Sequence, residues 1–196
     1  MLTKRGEATR RRLLEAAREE LIACGGEFEF AAVAQRADVS AGLPYRYFES
    51  KSALCVALVD EFFDQWEAVA YRPILDEVSD DWWIREQARI EKTVDFFYDH
   101  PLGSLVGTRL AGDAQVVGAV RERLTHQVHA ATTNVARGQQ LGRVPDFIDA
   151  ELCGALLMGG LHQALATALS SQPAMERARV VSALQDFMRR VLCIQG

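Results

Sequence analysis

Between residues 42 and 51 the chain gathers side chains that bind phosphate groups. Tyr45 and Tyr47 carry hydroxyls, and Arg46 and Lys51 carry cationic groups. Such groups commonly position a protein on the phosphates of a nucleic acid. Gly42 has no side chain, so another backbone can approach it closely. The stretch therefore predicts a surface that contacts something outside the protein.

The distribution of charge supports an anionic partner for the N-terminal part alone. The net charge of the whole chain is −5, which excludes a protein coated in basic surface. Residues 1–12, however, hold five basic side chains and one acidic one, a net +4. We therefore expect an anionic partner to meet the N-terminal quarter, and its first dozen residues above all.

Side-chain patterns typical of enzymes and metal proteins are not found in the sequence. The cysteines are scattered beside apolar neighbours, which indicates reduced thiols and no disulfide framework. His126 and His129 share a helix face, but no acidic or thiol partner stands at ligand spacing. No nucleophile–base pair or phosphate loop is recognisable. The sequence thus predicts a protein that is not an enzyme, with no metal and no cofactor.

The elements that carry the residues around Tyr45 are predicted to be three short helices. Helical periodicity places them at about 7–24, 30–37 and 41–48. The connection "ADVS" between the second and third has the length that joins a helix-turn-helix motif. Asp38 stands at the sharp turn, where it tolerates a left-handed backbone. Ser40 is the expected N-cap of the third helix.

Longer helices follow, which makes the predicted fold all-α with about nine helices. Their expected starts and ends are Ser50 to about Pro73, Asp80 or Asp81 to Pro101, a short segment near 102–110, Asp113 to Arg137, Asp146 to Ser170, and Pro173 onward. Residues 152–169 carry no formal charge, which is just long enough to test as a membrane span. We expect a helix packed between other helices and no membrane contact.

The segment "VAQRADVSAGLPYRYFESKSAL", with the basic helix before it, resembles the DNA-binding domain of tetracycline-repressor (TetR) family transcriptional regulators. The resemblance covers roughly residues 9–60 and is specific in residue type and spacing. Two positions depart from the family pattern. Asp38 replaces the usual turn glycine, and Glu29 replaces the threonine that usually caps the second helix.

The resemblance implies two domains and three kinds of site. Residues 1–50 would form the helix-turn-helix domain, and residues 51–196 a larger helical domain that binds a ligand and dimerises. The implied DNA-binding residues are Arg10, Arg11, Ser40, Ala41, Gly42, Leu43, Tyr45, Arg46, Tyr47 and Lys51. Residues that could line the ligand pocket are Phe62, Trp66, Trp83, Phe97, Arg109, His126, Met158 and His162. The expected dimer interface contains Gly154, Ala155, Gly159, Val181, Leu184 and Met188.

These expectations describe a cytoplasmic repressor that binds a palindromic operator in double-stranded DNA as a homodimer. A small-molecule effector of unknown identity would release it. Arg46 is the expected base contact, because arginine pairs bidentately with guanine. Two alternatives stay open: a transcriptional activator of the same fold, and a helical small-molecule-binding protein that has lost DNA binding.

Overall fold

Every regular element in the described part of the chain is a helix. The structure, a computed structural model, describes residues 3–71, 79–106 and 113–194. In these ranges the elements are α1 (Lys4–Ala23), α2 (Phe30–Arg36), a 3₁₀ helix (Pro44–Arg46), α3 (Lys51–Ala70), α4 (Trp82–Asp99), α5 (Gly103–Val106), α6 (Ala114–Gln140), α7 (Ala150–Ser170) and α8 (Arg177–Val191). The predicted all-α class is confirmed.

Three predicted helix starts carry the capping bonds expected of them. Ser50 Oγ accepts a hydrogen bond from the Ala53 amide at 3.0 Å at the start of α3. Asp81 accepts from two amides at the start of α4, and Asp113 does the same for α6. These side chains satisfy amides that have no partner inside the helix. They fix where each helix begins.

Two helices in the C-terminal part of the chain, α7 and α8, begin later than the sequence predicts. Asp149, not Asp146, caps α7, because its carboxylate accepts from the amides of Glu151 and Leu152, both at 3.0 Å. Pro173 is not the first residue of α8, which begins at Arg177. The segment before α8 is held instead by the Tyr98 hydroxyl, which donates to the Met175 carbonyl at 2.7 Å.

Helix α3 packs against α1 and also against α4 and α6. Its inward side chains recur every four residues, and each is almost fully buried: Leu54, Leu58, Phe62 and Trp66 at 0–1% exposure. They belong to one hydrophobic core that also contains the buried face of α1. The prediction that Ile22 lies on that buried face is wrong, because 44% of its surface is exposed near the end of α1. A shift of α3 would therefore change its packing against α1 as well as against α4 and α6.

Helix α7 packs on α6 on one side and presents apolar side chains on another. A Cβ at Gly154 would lie 2.8 Å from the backbone nitrogen of Thr132 in α6, so the two helices approach closely there. Leu152 and Leu156 are 64% and 63% exposed. Within the described residues α7 is the one helix that is long and apolar enough to cross a membrane, with a mean hydropathy of 1.4 and 33% of that window buried. Helices of soluble proteins also pass this test.

Candidate functional site

The turn after α2 has the left-handed geometry that the sequence predicts. Asp38 has a φ of 51°, and the Val39 amide donates to the Ala34 carbonyl at 3.0 Å across the turn. The Arg12 guanidinium of α1 donates to the carbonyl of Ala37 and, at 3.4 Å, to that of Asp38. Arg12 therefore links α1 to the turn and stabilises it.

The predicted third helix at 41–48 is wrong, because only Pro44–Arg46 are helical and they form a 3₁₀ helix. Proline has no N–H to donate to the Ser40 carbonyl. That carbonyl accepts from the Leu43 amide at 2.9 Å instead, and the chain continues in tight turns. Leu43 is the N-cap residue of the 3₁₀ helix, so the predicted capping role of Ser40 is also wrong.

The start of this segment is an open surface. Ser40, Ala41 and Gly42 are exposed, and Leu43 is half-buried. A Cβ added at Gly42 would meet nothing within 4 Å. The packing of the chain itself does not demand a glycine there, so the space is free for a partner.

The two tyrosines differ in how much of each is available. Tyr45 is 64% exposed, and its ring packs edge-on against Phe30 at a centroid distance of 4.7 Å. Tyr47 is half-buried and packs against the core. Arg46 between them is exposed. Tyr45 and Arg46 thus reach outward, while Tyr47 also anchors the segment.

Basic side chains flank the segment on both sides. Arg10 of α1 stacks over the ring of Phe48, with Cζ 5.2 Å from the ring centroid. Lys51 Nζ lies 5.2 Å from the centroid of Phe28 and 3.7 Å from a carboxylate oxygen of Glu29. Glu29 makes no side-chain capping bond at the start of α2. This agrees with the sequence, because glutamate is not among the residue types favoured as N-caps.

The predicted pocket residues divide among several places. Phe97 and His162 line a cleft of about 370 Å³, whereas Trp66 and Met158 line a separate cavity of about 60 Å³. Phe62 is buried in plain core, with its ring 5.2 Å from that of Phe97. Trp83 and His126 line surface grooves away from both cavities, so the grouping of all these residues in one pocket is wrong. Arg109 lies outside the described residues.

A buried ion pair beside the smaller cavity was not predicted. Glu86 is 3% exposed, and its carboxylate lies 2.5 Å from Nη1 of Arg89. The Arg89 guanidinium also donates to the Ala70 carbonyl at 2.9 Å and stacks over the ring of Tyr71. The sequence does place a glutamate three residues before an arginine. That spacing usually indicates an ion pair on an exposed helix surface, so it did not predict a buried one.

The predicted interface residues are placed on both sides of α7 and α8. Gly154 and Leu184 are buried within the chain itself, Val181 and Met188 are half-buried, and Ala155 and Gly159 are exposed. Large exposed side chains that the prediction missed are Leu152, Leu156 and Phe187. A signal for Leu152 and Leu156 is available in the sequence: residues 152–169 carry no formal charge and have more apolar side chains than one neighbouring helix can cover.

No group of three or more histidine, cysteine or acidic side chains in the described ranges is arranged to hold a metal ion. His126 lies 4.0 Å from a carboxylate oxygen of Glu67.

Comparison with known proteins finds matches to both the N-terminal motif and the overall fold. Residues 13–58 match the family model described as bacterial regulatory proteins, tetR family, which confirms the resemblance over that segment. No curated protein matches the chain.

Solved structures match nearly the whole chain. The fatty acid degradation regulator FadR from Bacillus halodurans is 16% identical, with a TM-score of 0.79 over 91% of this chain and 93% of that one. FadR from Bacillus subtilis, in complex with stearoyl-CoA, is 16% identical, with a TM-score of 0.74 over 91% of this chain and 96% of that one. A TetR-family regulator from Agrobacterium tumefaciens is 20% identical, with a TM-score of 0.74 over 97% and 99%. At these identities the matches establish a shared fold.

Proposed function

Starting from the tetR-family domain at residues 13–58, we propose that this chain is a ligand-responsive transcriptional regulator. It binds a palindromic operator as a homodimer and is released by a small-molecule effector. The observation that carries the proposal is the open, uncharged surface of residues 40–42 beside the exposed guanidinium of Arg46. The DNA-binding unit is residues 1–50, and the ligand-binding and dimerisation unit is residues 51–196.

On DNA, the open surface would face bases and its flanks would face phosphates. Ser40, Ala41, Gly42 and Leu43 lie in the major groove, where a glycine lets the backbone approach the base edges. Tyr45, Tyr47, Lys51, Arg10 and Arg11 contact phosphates, and Arg46 reaches a base edge. Arg12 is not among them, because it is bound to the turn.

A second copy of the chain covers the exposed apolar face of α7 and α8. One motif contacts only half of a palindrome, so two copies are needed. Leu152, Leu156 and Phe187 supply the contact area, and Ala155 and Gly159 let the partner helices approach closely. This contact also removes from water the face that makes α7 resemble a membrane span.

The effector acts through α3. Its C-terminal half carries Phe63, which lines the larger cleft, and Trp66, which lines the smaller cavity. Its N-terminus follows the DNA-binding segment directly. Ligand would favour a dimer whose motifs no longer match successive major grooves, about 34–36 Å apart. FadR from Bacillus subtilis, which shares the fold, is in complex with stearoyl-CoA, and this supports an organic effector for this chain.

The regulator acts in the cytoplasm and has no catalytic role. An activator of the same fold would share every contact described above. A carrier that has lost DNA binding would not need the exposed residues at 40–46.

Arg46→Ala separates the regulator from the carrier. Binding of labelled operator duplex is measured by fluorescence anisotropy at near-physiological salt, because affinity depends steeply on salt. We expect a loss of roughly 1–3 kcal/mol in operator binding, the usual value of a bidentate arginine–guanine contact. Arg137→Ala is the matched control, because it removes one exposed arginine from α6. Equal affinity of Arg46→Ala and the control would contradict the proposal.

A further inference from the structure

The larger cleft has apolar walls and few polar groups. It encloses about 370 Å³ among side chains of α3 to α7, within the usual range for small-molecule sites. Its walls include the rings of Phe63 and Phe97, with Val117, Val120 and Leu165. Since a water-sized group takes about 30 Å³ of liquid volume, a ligand of on the order of a dozen non-hydrogen atoms fits.

His162 places one unused hydrogen-bonding atom at the inner wall. Its Nε2 lies 2.9 Å from Oε1 of Gln127, an oxygen that can only accept, so Nε2 carries the proton and Nδ1 is left as an acceptor. No described residue donates to that Nδ1. Burial lowers the pKa of His162 to about 4, so the ring is neutral at pH 7.

Gln127 shows that this polar pair is incomplete inside the protein. The side chain is 1% exposed, and its amide nitrogen has no hydrogen-bond partner among the described residues. Buried polar atoms are normally paired, and an unpaired one destabilises the folded chain. His162 is the member of this pair that lines the cleft, so a ligand would meet the pair at His162.

Arg121 places a free cation at the rim of the same cleft. It lines the cleft and is exposed, and no acidic side chain in the described ranges pairs with it. Arg123, two residues further on, is by contrast bound to Asp60 at 3.0 Å and to Asp64 at 2.7 Å. Arg121 precedes Gln127 by six residues on α6, which separates the rim from the polar pair by about 9 Å along the helix.

We propose that the effector is a phenolic acid, an aromatic carboxylate with a hydroxyl at its opposite end. The hydroxyl donates to Nδ1 of His162, the aromatic ring packs against the apolar side chains that line the cleft, and the carboxylate meets Arg121. The inference rests on the proposed function, since it names the ligand class of the same domain.

Three related probes test the two ends of the ligand separately. Calorimetric titration of the full chain, without DNA, compares 4-hydroxycinnamate with cinnamate and with 4-hydroxycinnamamide. Cinnamate lacks the hydroxyl, and the amide lacks the negative charge. We expect 4-hydroxycinnamate to bind at least tenfold more tightly than either.

Two variants connect these preferences to the two residues. Arg121→Met should weaken 4-hydroxycinnamate at least tenfold and leave the amide unchanged, whereas Arg137→Met on the same helix should change neither. His162→Leu should weaken 4-hydroxycinnamate and leave cinnamate unchanged, and retained cinnamate binding shows that this variant is folded. If His162→Leu does not fold, Arg121→Met and the three probes still decide the question.

The outcomes separate this inference from the proposed function. Equal binding of all three probes, or binding of none, overturns the phenolic-acid inference. If operator binding is then still lost in Arg46→Ala, the regulator stands and only its ligand class is wrong. Selective binding of 4-hydroxycinnamate by a chain that binds no operator supports the ligand class and overturns the regulator.

Discussion

At the scale of single residues, two histidines that are partly removed from water make stability depend on pH. Burial, with the Arg18 charge as a smaller cause, lowers the pKa of His100 to about 4, and burial does the same for His162. In the unfolded chain the pKa of each histidine would be about 6.5. Between these values the unfolded state binds more protons, so stability rises with pH across that window and is fully present above it.

We therefore expect the chain to unfold more easily at pH 5 than at pH 7. His162 contributes about 2 kcal/mol to this difference, and His100, which is half-buried, contributes less. Urea unfolding at the two pH values measures it. His162→Gln, which cannot titrate, should show a smaller difference than the natural chain. Equal stability of the natural chain at pH 5 and pH 7 would show that the histidines are not held neutral by burial.

Residue roles that depend on local chemistry could be predicted from the sequence. Asp38 in the turn and Ser50 as a cap are confirmed, because each depends only on its own backbone. Residues whose role depends on distant partners could not. The pairing of Gln127 with His162 joins α6 to α7, and nothing in the order of residues indicates which side chains meet across two long helices.

At the scale of elements, the close contact of α6 with α7 makes a prediction about two glycines. Gly154→Ala should destabilise the chain by about 1–3 kcal/mol, because its Cβ would lie 2.8 Å from the backbone nitrogen of Thr132 and the helices would have to separate. Gly118→Ala should stabilise it by about 0.5–1 kcal/mol, because its Cβ would meet nothing within 4 Å in the interior of α6. Chemical denaturation of both variants checks the opposite signs. If Gly154→Ala were as stable as Gly118→Ala, the helices would not be in close contact.

Helix existence was easier to predict than helix boundaries. Periodicity found α1, α3, α4 and α6 within a few residues, because each has one strongly apolar face. The prediction of an α-helix as the third helix of the motif was wrong, because Pro44 favours tight turns there. The predicted start of α7 was wrong because Asp146 and Asp149 are both suitable caps, and Asp149 is the one that caps the helix.

At the scale of the whole molecule, the exposed face of α7 predicts a dimer that a single charge can disrupt. Leu156→Glu should give a folded monomer, because the side chain is 63% exposed in the isolated chain and would be buried against the partner. Ile84→Glu on α4 is the control, because it is 47% exposed and lies off that face. Sedimentation equilibrium measures the mass of each. A Leu156→Glu protein that stays dimeric would place the interface elsewhere.

The overall architecture was the most predictable level and the ligand cleft the least. A short motif with specific residue types and spacing identified the family resemblance over roughly residues 9–60, and the family model matches residues 13–58. The cleft has no such signature, since its walls are ordinary apolar positions, and predicted members such as Trp83 and His126 lie in surface grooves.

The most direct test of the account is selection of bound duplexes from a random DNA pool by the full chain, near physiological salt. We predict enrichment of a palindrome whose half-sites lie about one helical turn apart, which requires both a sequence-reading motif and a symmetric dimer. If a folded, ligand-free dimer enriches no sequence, the exposed residues at 40–46 do not read DNA, and the central claim is wrong.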